Sequence, residues 1–296
     1  MASHLSEETI TSRENKWLKI FRAALRGTGP AEGDAIGVEG PKLVEDALRS
    51  GLQAEALLVS ETGEADLERI LHAASESEAG IPRSRVMRTT DKLFASVAGT
   101  ETPQGVAALF RQPAWEFDDV VRGAAAADGG LRGDAALVVV MAAVQDPGNV
   151  GTIVRSAEAF GATGAVATRG SADPWSPKAL RASAGSGLRF PILRGMAIPL
   201  LLAQLRVTGV KIVAASSHSA TLGVGETDAA AVLREAVAIF IGNEGAGLPR
   251  EVEHAADARI SIPMSAAVES LNAGVSASVV LYEAARQRKS FATDEP

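Results

Sequence analysis

Apolar positions along the chain fall into two blocks with different rhythms. In the first, Trp17, Leu18, Phe21 and Leu25 recur at helical spacing and predict a short helix over 14–26. Pro41 at a first turn and Gly51 just past an end bracket a second helix over 41–50. A strand at Leu57–Ser60, a helix over 63–74 and a strand at Val106–Arg111 complete a small α/β block that ends near residue 112. From residue 136 the pattern changes. Ala136–Val144 is one continuous apolar run, as in a strand buried on both faces of a parallel sheet. Helices over 150–160, 177–184, 197–208 and 272–289 alternate with strands at Ala165–Thr168, Lys211–Ala215, Val237–Ile241 and Arg259–Ile262. Such alternation predicts a parallel sheet covered by helices. Between the blocks, 113–135 loses periodicity, gains Gly, Ala and Asp, and reads as a linker with room for one short helical piece. The expected organisation is a tail (1–8), a domain (9–112), the linker, a second domain (136–290) and a tail (291–296).

Composition removes several classes of chemistry. The 296 residues include no cysteine, which excludes disulfides, thiolate metal sites and cysteine nucleophiles. His4, His72, His218 and His254 are scattered without ligand spacing, so no metal is expected. The N-terminus has no apolar stretch of the signal-peptide kind. Runs such as Leu137–Val144 fall far short of the roughly 20 residues of a membrane span. The expectation is a cytoplasmic protein without membrane contact. The net charge of −7 argues against nucleic acid, but its distribution matters more than its sum. Residues 1–120 hold 13 Lys and Arg against 20 Asp and Glu, and the remainder is balanced. Within the acidic part, Arg13, Lys16, Lys19, Arg22 and Arg26 face one acid, Glu14, and Arg83, Arg85, Arg88 and Lys92 face one, Asp91. Local patches of this kind can hold phosphate, although solvated charge is their commoner meaning.

Candidate chemistry gathers just after predicted strands, where open α/β sheets bind ligands. In VQDPGNVGTIVRSAEAFG (144–161), Asn149 is placed to cap a helix that stops at Gly161. Gly151 and Arg155 share a helix face, so the missing side chain at Gly151 would let a polyanion reach the helix start and meet Arg155. In IGNEGAGLP (241–249), Gly242, Gly245 and Gly247 permit close backbone approach to a ligand. This is neither a P-loop nor a dinucleotide fingerprint. Glu244 inside the loop would repel phosphate and suits a ligand with donors or positive charge, such as an adenosine moiety or a sulfonium-bearing amino acid. In the third segment (260–289), a loop with Glu269, Ser270 and Asn272 leads into a helix rich in small residues, and either Ser270 or Asn272 can cap it. In 173–192, Lys178, Arg181 and Arg189 can line a surface for anions.

Together these segments resemble the SpoU (TrmH-type) RNA 2′-O-ribose methyltransferases of the SPOUT superfamily. The family's three motifs occur in order: Asn149, Gly151 and Arg155; Gly242, Glu244, Gly245, Gly247 and Leu248; then Ile262, Pro263, Met264, Ser270, Leu271 and Asn272. PKALRASAGSG resembles the segment between motifs one and two, and ITSREN, Glu39–Gly40 and TPQG resemble the family's attached RNA substrate-binding domain. The resemblance implies an L30e-like α/β domain that grips RNA, followed by a parallel-sheet domain with a deep trefoil knot. It implies a homodimer with composite sites and S-adenosyl-L-methionine as cofactor. Ile241, Gly242, Gly247, Ile262, Met264 and Leu271 are the implied cofactor residues. Asn149, Arg155, Glu244, Ser270 and Asn272 are the implied catalytic set, and Arg13, Asn15, Lys19, Lys178 and Arg181 the RNA contacts.

A proton must leave the ribose hydroxyl as it attacks. The family gives that task to the motif-one arginine, but a guanidinium with pKa above about 12 stays charged. Arg155 is therefore expected to stabilise phosphate and alkoxide, while a phosphate oxygen or water takes the proton. Asn149 and Asn272 are expected to orient Arg155 and the ribose, Ser270 to bond RNA or the loop, and Glu244 to anchor the loop or an arginine. A Rossmann-type methyltransferase expects its glycines after the first strand, whereas here they come at 242–247. A base methyltransferase of the superfamily fits the Ser-Leu-Asn motif less well, and a non-catalytic RNA-binding protein would be expected to lack motif residues. Ribosomal RNA is the favoured target, with tRNA the alternative.

Overall fold

The computed structural model describes residues 8–27, 35–76, 85–123, 135–216, 222–223, 232–265 and 270–293. His4, Arg83, His218 and Glu269, most of the predicted first tail and residues 124–134 of the predicted linker lie outside them. The elements in chain order are β1 (Glu8–Ile10), α1 (Lys16–Arg26), β2 (Ala35–Glu39), α2 (Pro41–Arg49), β3 (Ala54–Ser60), α3 (Glu64–Glu76), β4 (Val86–Thr89), α4 (Asp91–Ala95), β5 (Val106–Arg111) and α5 (Phe117–Arg122). They continue with β6 (Leu137–Met141), α6 (Pro147–Ala159), β7 (Gly164–Thr168), α7 (Pro177–Ala182), β8 (Ile192–Met196), α8 (Ile198–Val207), β9 (Lys211–Ala215), β10 (Leu222–Gly223), β11 (Val237–Ile241), α9 (Arg250–Ala255), β12 (Ala258–Ser261) and α10 (Ala273–Thr293). The chain divides into two units: 1–114 with 175–181, and 115–174 with 182–296.

In the first unit, five strands form one sheet in the order β1-β4-β3-β5-β2. Strand β4 runs parallel to β1 and β3, and β5 antiparallel to β3 and β2. Helix α1 buries Leu18, Phe21 and Leu25 in a core with Ile10, Leu58, Met87 and Phe94. It begins at Lys16 rather than at 14, because the Asn15 side chain accepts the Trp17 N–H at 2.8 Å and fixes the start. Gly27, with φ of +63°, ends it. The apolar spacing missed β1, β2, β4 and α4, none longer than five residues.

The second unit holds a seven-stranded sheet in the order β10-β12-β9-β11-β6-β7-β8, with every pairing parallel. All five residues of β6 and of β11 are buried. Successive strand residues face opposite sides, so both faces are covered. On one face Val138, Val140, Ala238 and Phe240 pack with Val120, Leu201, Leu205 and Val252 from α5, α8 and α9. The chain runs outward from β6 through β7 to β8, then returns to build β9 and β11 on the other side. The order thus reverses beside β6, which is where α/β sheets open a ligand crevice.

Several boundaries differ from expectation. Glu8 belongs to β1 rather than to a tail, and the last helix runs to Thr293, through positions read as tail. Within the predicted linker, α5 is stabilised by a reciprocal cap between Glu116 and Asp119. Strand β8 escaped detection because it is a partly exposed edge, and α9 because it has six residues. Among the described residues no helix is long and apolar enough to cross a membrane, and no group of three His, Asp or Glu side chains could hold a metal ion.

Helix α10 is pinned at its far end. The Arg288 guanidinium donates to the carbonyls of Leu233 (2.9 Å), Glu235 (2.5 Å), Ala136 (3.1 Å) and Ala135. These carbonyls precede β11 and β6, at the opposite end of the strands from the loops that wall the cleft. Hydrogen bonds from a charged donor contribute about 1.5–3 kcal/mol. Arg288→Met should therefore lower the melting temperature by roughly 4–8 °C, measured by circular dichroism; an unchanged transition would exclude the staple.

Candidate functional site

The carboxyl ends of β9, β11 and β12 open into a cleft of about 480 Å³, within the range of small-molecule sites, roughly 300–1,000 Å³. Its walls are the loop after β11, the segment after β12 and the first turns of α10. The loop after β11 closes on itself. Asn243 and Gly247 exchange backbone hydrogen bonds of 3.1 and 2.9 Å, and the Asn243 side-chain oxygen accepts the N–H groups of Gly245 and Ala246. Gly247 sits at φ +70°. A Cβ at Gly242 would lie 2.5 Å from the Gly247 carbonyl carbon, so only glycine allows the closure. The Asn243 amide also donates to the Ala143 carbonyl at 3.1 Å, tying the loop to the end of β6.

Three separated segments meet at Asn149. The Asn272 side-chain oxygen accepts the N–H groups of Gly274 (2.9 Å) and Val275 (3.2 Å) and so caps α10. Its amide nitrogen then donates to Asn149 Oδ1 at 2.9 Å. Asn149 Nδ2 in turn donates to Glu244 Oε1. The backbone donors fix the direction of the whole chain, because neither amide can flip without facing donor to donor. Asn149 is 8% exposed. Behind it, α6 and α10 pack closely through small residues: Ser156 and Ser278 hydroxyls lie 2.7 Å apart, and a Cβ on Gly274 would meet Thr152 at 3.0 Å.

Two expectations for this helix are corrected. Asn149 is not its cap. Asp146 is, accepting the Gly148 N–H at 3.1 Å with Pro147 in the first turn, and Asn149 lies inside the helix. Gly151 is buried, so it offers no open approach for a polyanion.

Of the sequence-derived candidates, Ile241, Gly242, Glu244, Gly247, Ile262, Met264, Ser270 and Leu271 all line the one cleft. Asn149 and Asn272 reach it through Glu244. Arg155 is exposed on α6, outside the cleft lining, with no hydrogen bond or ion pair among the described residues. Arg189, expected on an anion-binding surface, is instead held by both oxygens of Glu158 at 2.6 and 2.7 Å. In the first unit Arg13 is exposed, Asn15 serves as the α1 cap, and Lys19 pairs with Glu14 at 2.7 Å. Lys178 and Arg181 are exposed on α7. The structure brings the two basic stretches together where the Arg85 guanidinium lies 5.6 Å from the Trp17 ring centre. Sequence reasoning missed Asn243, Glu253, Ser276 and Val280. Only the first carried a signal, as a polar residue between loop glycines.

Among the described residues, the only charged ones lining the cleft are Glu244 and Glu253. The walls are otherwise backbone, small polar groups and apolar side chains such as Ile241, Ile262, Leu271 and Val280. A ligand with positive charge, hydroxyl donors and an apolar ring fits such a site; a phosphorylated one does not.

Comparison with known proteins agrees with this chemistry. Residues 136–282 match the SpoU rRNA Methylase family, and residues 32–108 the MRM3-like substrate binding domain. The 23S rRNA (guanosine(2553)-2′-O)-methyltransferase RlmP of Bacillus subtilis (strain 168) is 31% identical over 274 residues, covering 92% of this chain and 97% of its own. The crystal structure of an AdoMet-bound rRNA methyltransferase from Sinorhizobium meliloti superposes with a TM-score of 0.77 at 28% identity, over 95% of this chain and 98% of that one. The SpoU methyltransferase AviRb from Streptomyces viridochromogenes, in complex with AdoMet, gives 0.77 at 26% identity, over 93% and 100%. The fold and cleft define an α/β enzyme of the methyltransferase class. The chain belongs to the SpoU rRNA methylase family.

The Asn149 bridge makes a testable pH prediction. Asn149→Asp would set a second carboxylate against Glu244, and like charges raise the pKa of one of them in the folded state. The folded variant then binds more protons than the unfolded chain, so its stability falls as pH rises. Thermal melts should show a deficit against the native protein of about 1–2 kcal/mol at pH 8, shrinking by half or more at pH 5. A deficit independent of pH would contradict the bridge.

Proposed function

We propose that the protein transfers the methyl group of S-adenosylmethionine to a ribose 2′-hydroxyl of structured RNA, with ribosomal RNA as the target and the cytoplasm as its compartment. The cleft carries this reading: among the described residues its lining holds two acidic residues and no cationic one, set among apolar walls and strand-end backbone. The residues fit that cofactor. Backbone around Gly242, Ile262 and Leu271 would hold it, with Ile241, Gly247 and Met264 beside them. The cofactor supplies an electrophilic methyl on a sulfonium.

The protein's own part is alignment and charge. A ribose hydroxyl is a poor nucleophile near neutral pH and must be positioned as it loses its proton. Arg155, exposed and free of protein partners among the described residues, is available to an RNA phosphate and to the developing alkoxide. Its permanent charge suits that task and rules it out as the base, so a phosphate oxygen or water takes the proton. Asn149 and Asn272 act differently from the sequence expectation. They are committed to each other and to Glu244, and so hold the loop against the start of α10 rather than orienting Arg155. Ser270, on the cleft rim, is left to bond the RNA.

In the first unit, Arg13, Lys19 and the Arg85–Trp17 pair form the proposed RNA contact, joined by Lys178 and Arg181. The Lys19–Glu14 pair is exposed, where solvent leaves such a pair little strength, so a phosphate can displace it. Two copies are proposed to pair through α10, where Val275 is 47% exposed and Tyr282, in edge contact with Phe160, is 54% exposed, which would let Arg155 of one copy complete the site of the other. The knotted path implied by the resemblance is proposed for the stretch from β11 to α10. The relative named for 23S rRNA supports ribosomal RNA over tRNA.

The test is turnover on purified ribosomal RNA with labelled methyl donor. Arg155→Lys keeps the charge but loses the planar fork, and should lower turnover by roughly 100-fold while calorimetric binding of S-adenosylmethionine stays unchanged. Native turnover in this variant would exclude a guanidinium role; no binding by the native protein would exclude methyl transfer altogether. Sedimentation should give a dimer that Tyr282→Glu splits, and a native monomer would exclude the shared site.

A further inference from the structure

The cleft's two carboxylates are not equivalent. Glu244 is engaged by Asn149 from α6, the helix that follows β6. Glu253 lies on α9, which packs against α8 and β9 on the other side of β11. Its carbonyl accepts Arg259 Nη2 at 2.7 Å, which fixes its backbone to the start of β12. Its side chain is half-buried, and its carboxylate has no hydrogen bond or ion pair among the described residues. A half-buried carboxylate left unpaired in a ligand cleft is awaiting donors.

The cleft's polarity says which donors. The reacting end is placed on the side of Glu244 and of Ser270, the residue left to bond the RNA. The nucleoside end then extends toward β9 and β12, where Ile260 offers an apolar wall and Ser216 and Glu253 the polar groups. An adenine ring matches the apolar wall. A vicinal ribose diol presents two hydroxyl donors, and one carboxylate accepts from both. Dinucleotide-binding folds solve the same problem with an acidic residue on the ribose hydroxyls. We infer that Glu253 is a cofactor-binding residue that accepts hydrogen bonds from the ribose 2′- and 3′-hydroxyls of the methyl donor. This rests on the cofactor reading above.

The experiment is calorimetry on the full chain with three ligands: S-adenosylhomocysteine, 5′-methylthioadenosine, and the 2′,3′-dideoxy form of the latter. The native protein should bind the dideoxy compound about tenfold more weakly than its parent. Glu253→Gln, with an unchanged circular dichroism spectrum, should weaken S-adenosylhomocysteine and 5′-methylthioadenosine by a similar factor. It should leave the dideoxy compound's affinity unchanged, abolishing the preference for the diol, and Glu253→Asp should restore part of it. Two outcomes overturn the assignment. In one, the variant keeps the full diol preference. In the other, it loses affinity only for S-adenosylhomocysteine, which would place the carboxylate on the amino group instead. If the native protein bound S-adenosylhomocysteine normally, either outcome would leave the cofactor reading standing. No native binding of any of the three would sink both.

Discussion

The side chain of Asn149 is where three distant stretches of sequence become one site. It donates to Glu244 and accepts from Asn272, residues 95 and 123 positions away along the chain. Each partner has a structural duty of its own: Glu244 belongs to the closed loop after β11, and Asn272 caps α10. A single buried amide therefore sets the loop that walls the cleft against the helix that floors it. An amide suits this position, because it carries a donor and an acceptor on one short planar group.

The rest of the second unit keeps that bridge in register. Strands β6 and β11 are neighbours, paired from Val237 with Leu137 to Ile241 with Met141, so the loops that follow them emerge side by side. Asn243 ties one loop to the carbonyl of Ala143 in the other, at a left-handed backbone position. At the opposite end of the strands Arg288 fixes α10 against the segments that enter the same two strands. Helix α10 is thus held at both ends, and its small residues let it lie close against α6. Among the described residues the cleft holds no cationic side chain: its geometry depends on hydrogen bonds from neutral amides, one of them to Glu244, and Glu253 is left to meet a ligand rich in donors.

How much of this was legible in sequence follows from what each element contributes to burial. β6 and β11 were readable because every residue is buried, which demands an unbroken apolar run. β8 was not, because an edge strand with one buried residue leaves no pattern. The motif residues of the cleft were found as motifs, yet their spacing could not reveal who bonds whom. Asp-Pro just before Asn149 carries the stronger capping signature, and nothing in the spacing of Asn149 shows that its partners lie in two other segments. Glu253 left no trace, since a carboxylate on a short surface helix looks like ordinary solvated charge until the cleft is seen beside it. Arg155 remains the residue whose setting the single chain leaves open to its RNA.

The most direct measurement is a ribose-methylation map of total RNA from cells with and without the gene. The expected result is the loss of 2′-O-methylation at a defined nucleotide of ribosomal RNA, restored by the native gene and not by an Arg155→Ala copy. An unchanged map of ribose methylation, or the loss of a methyl group from a base instead, would contradict it.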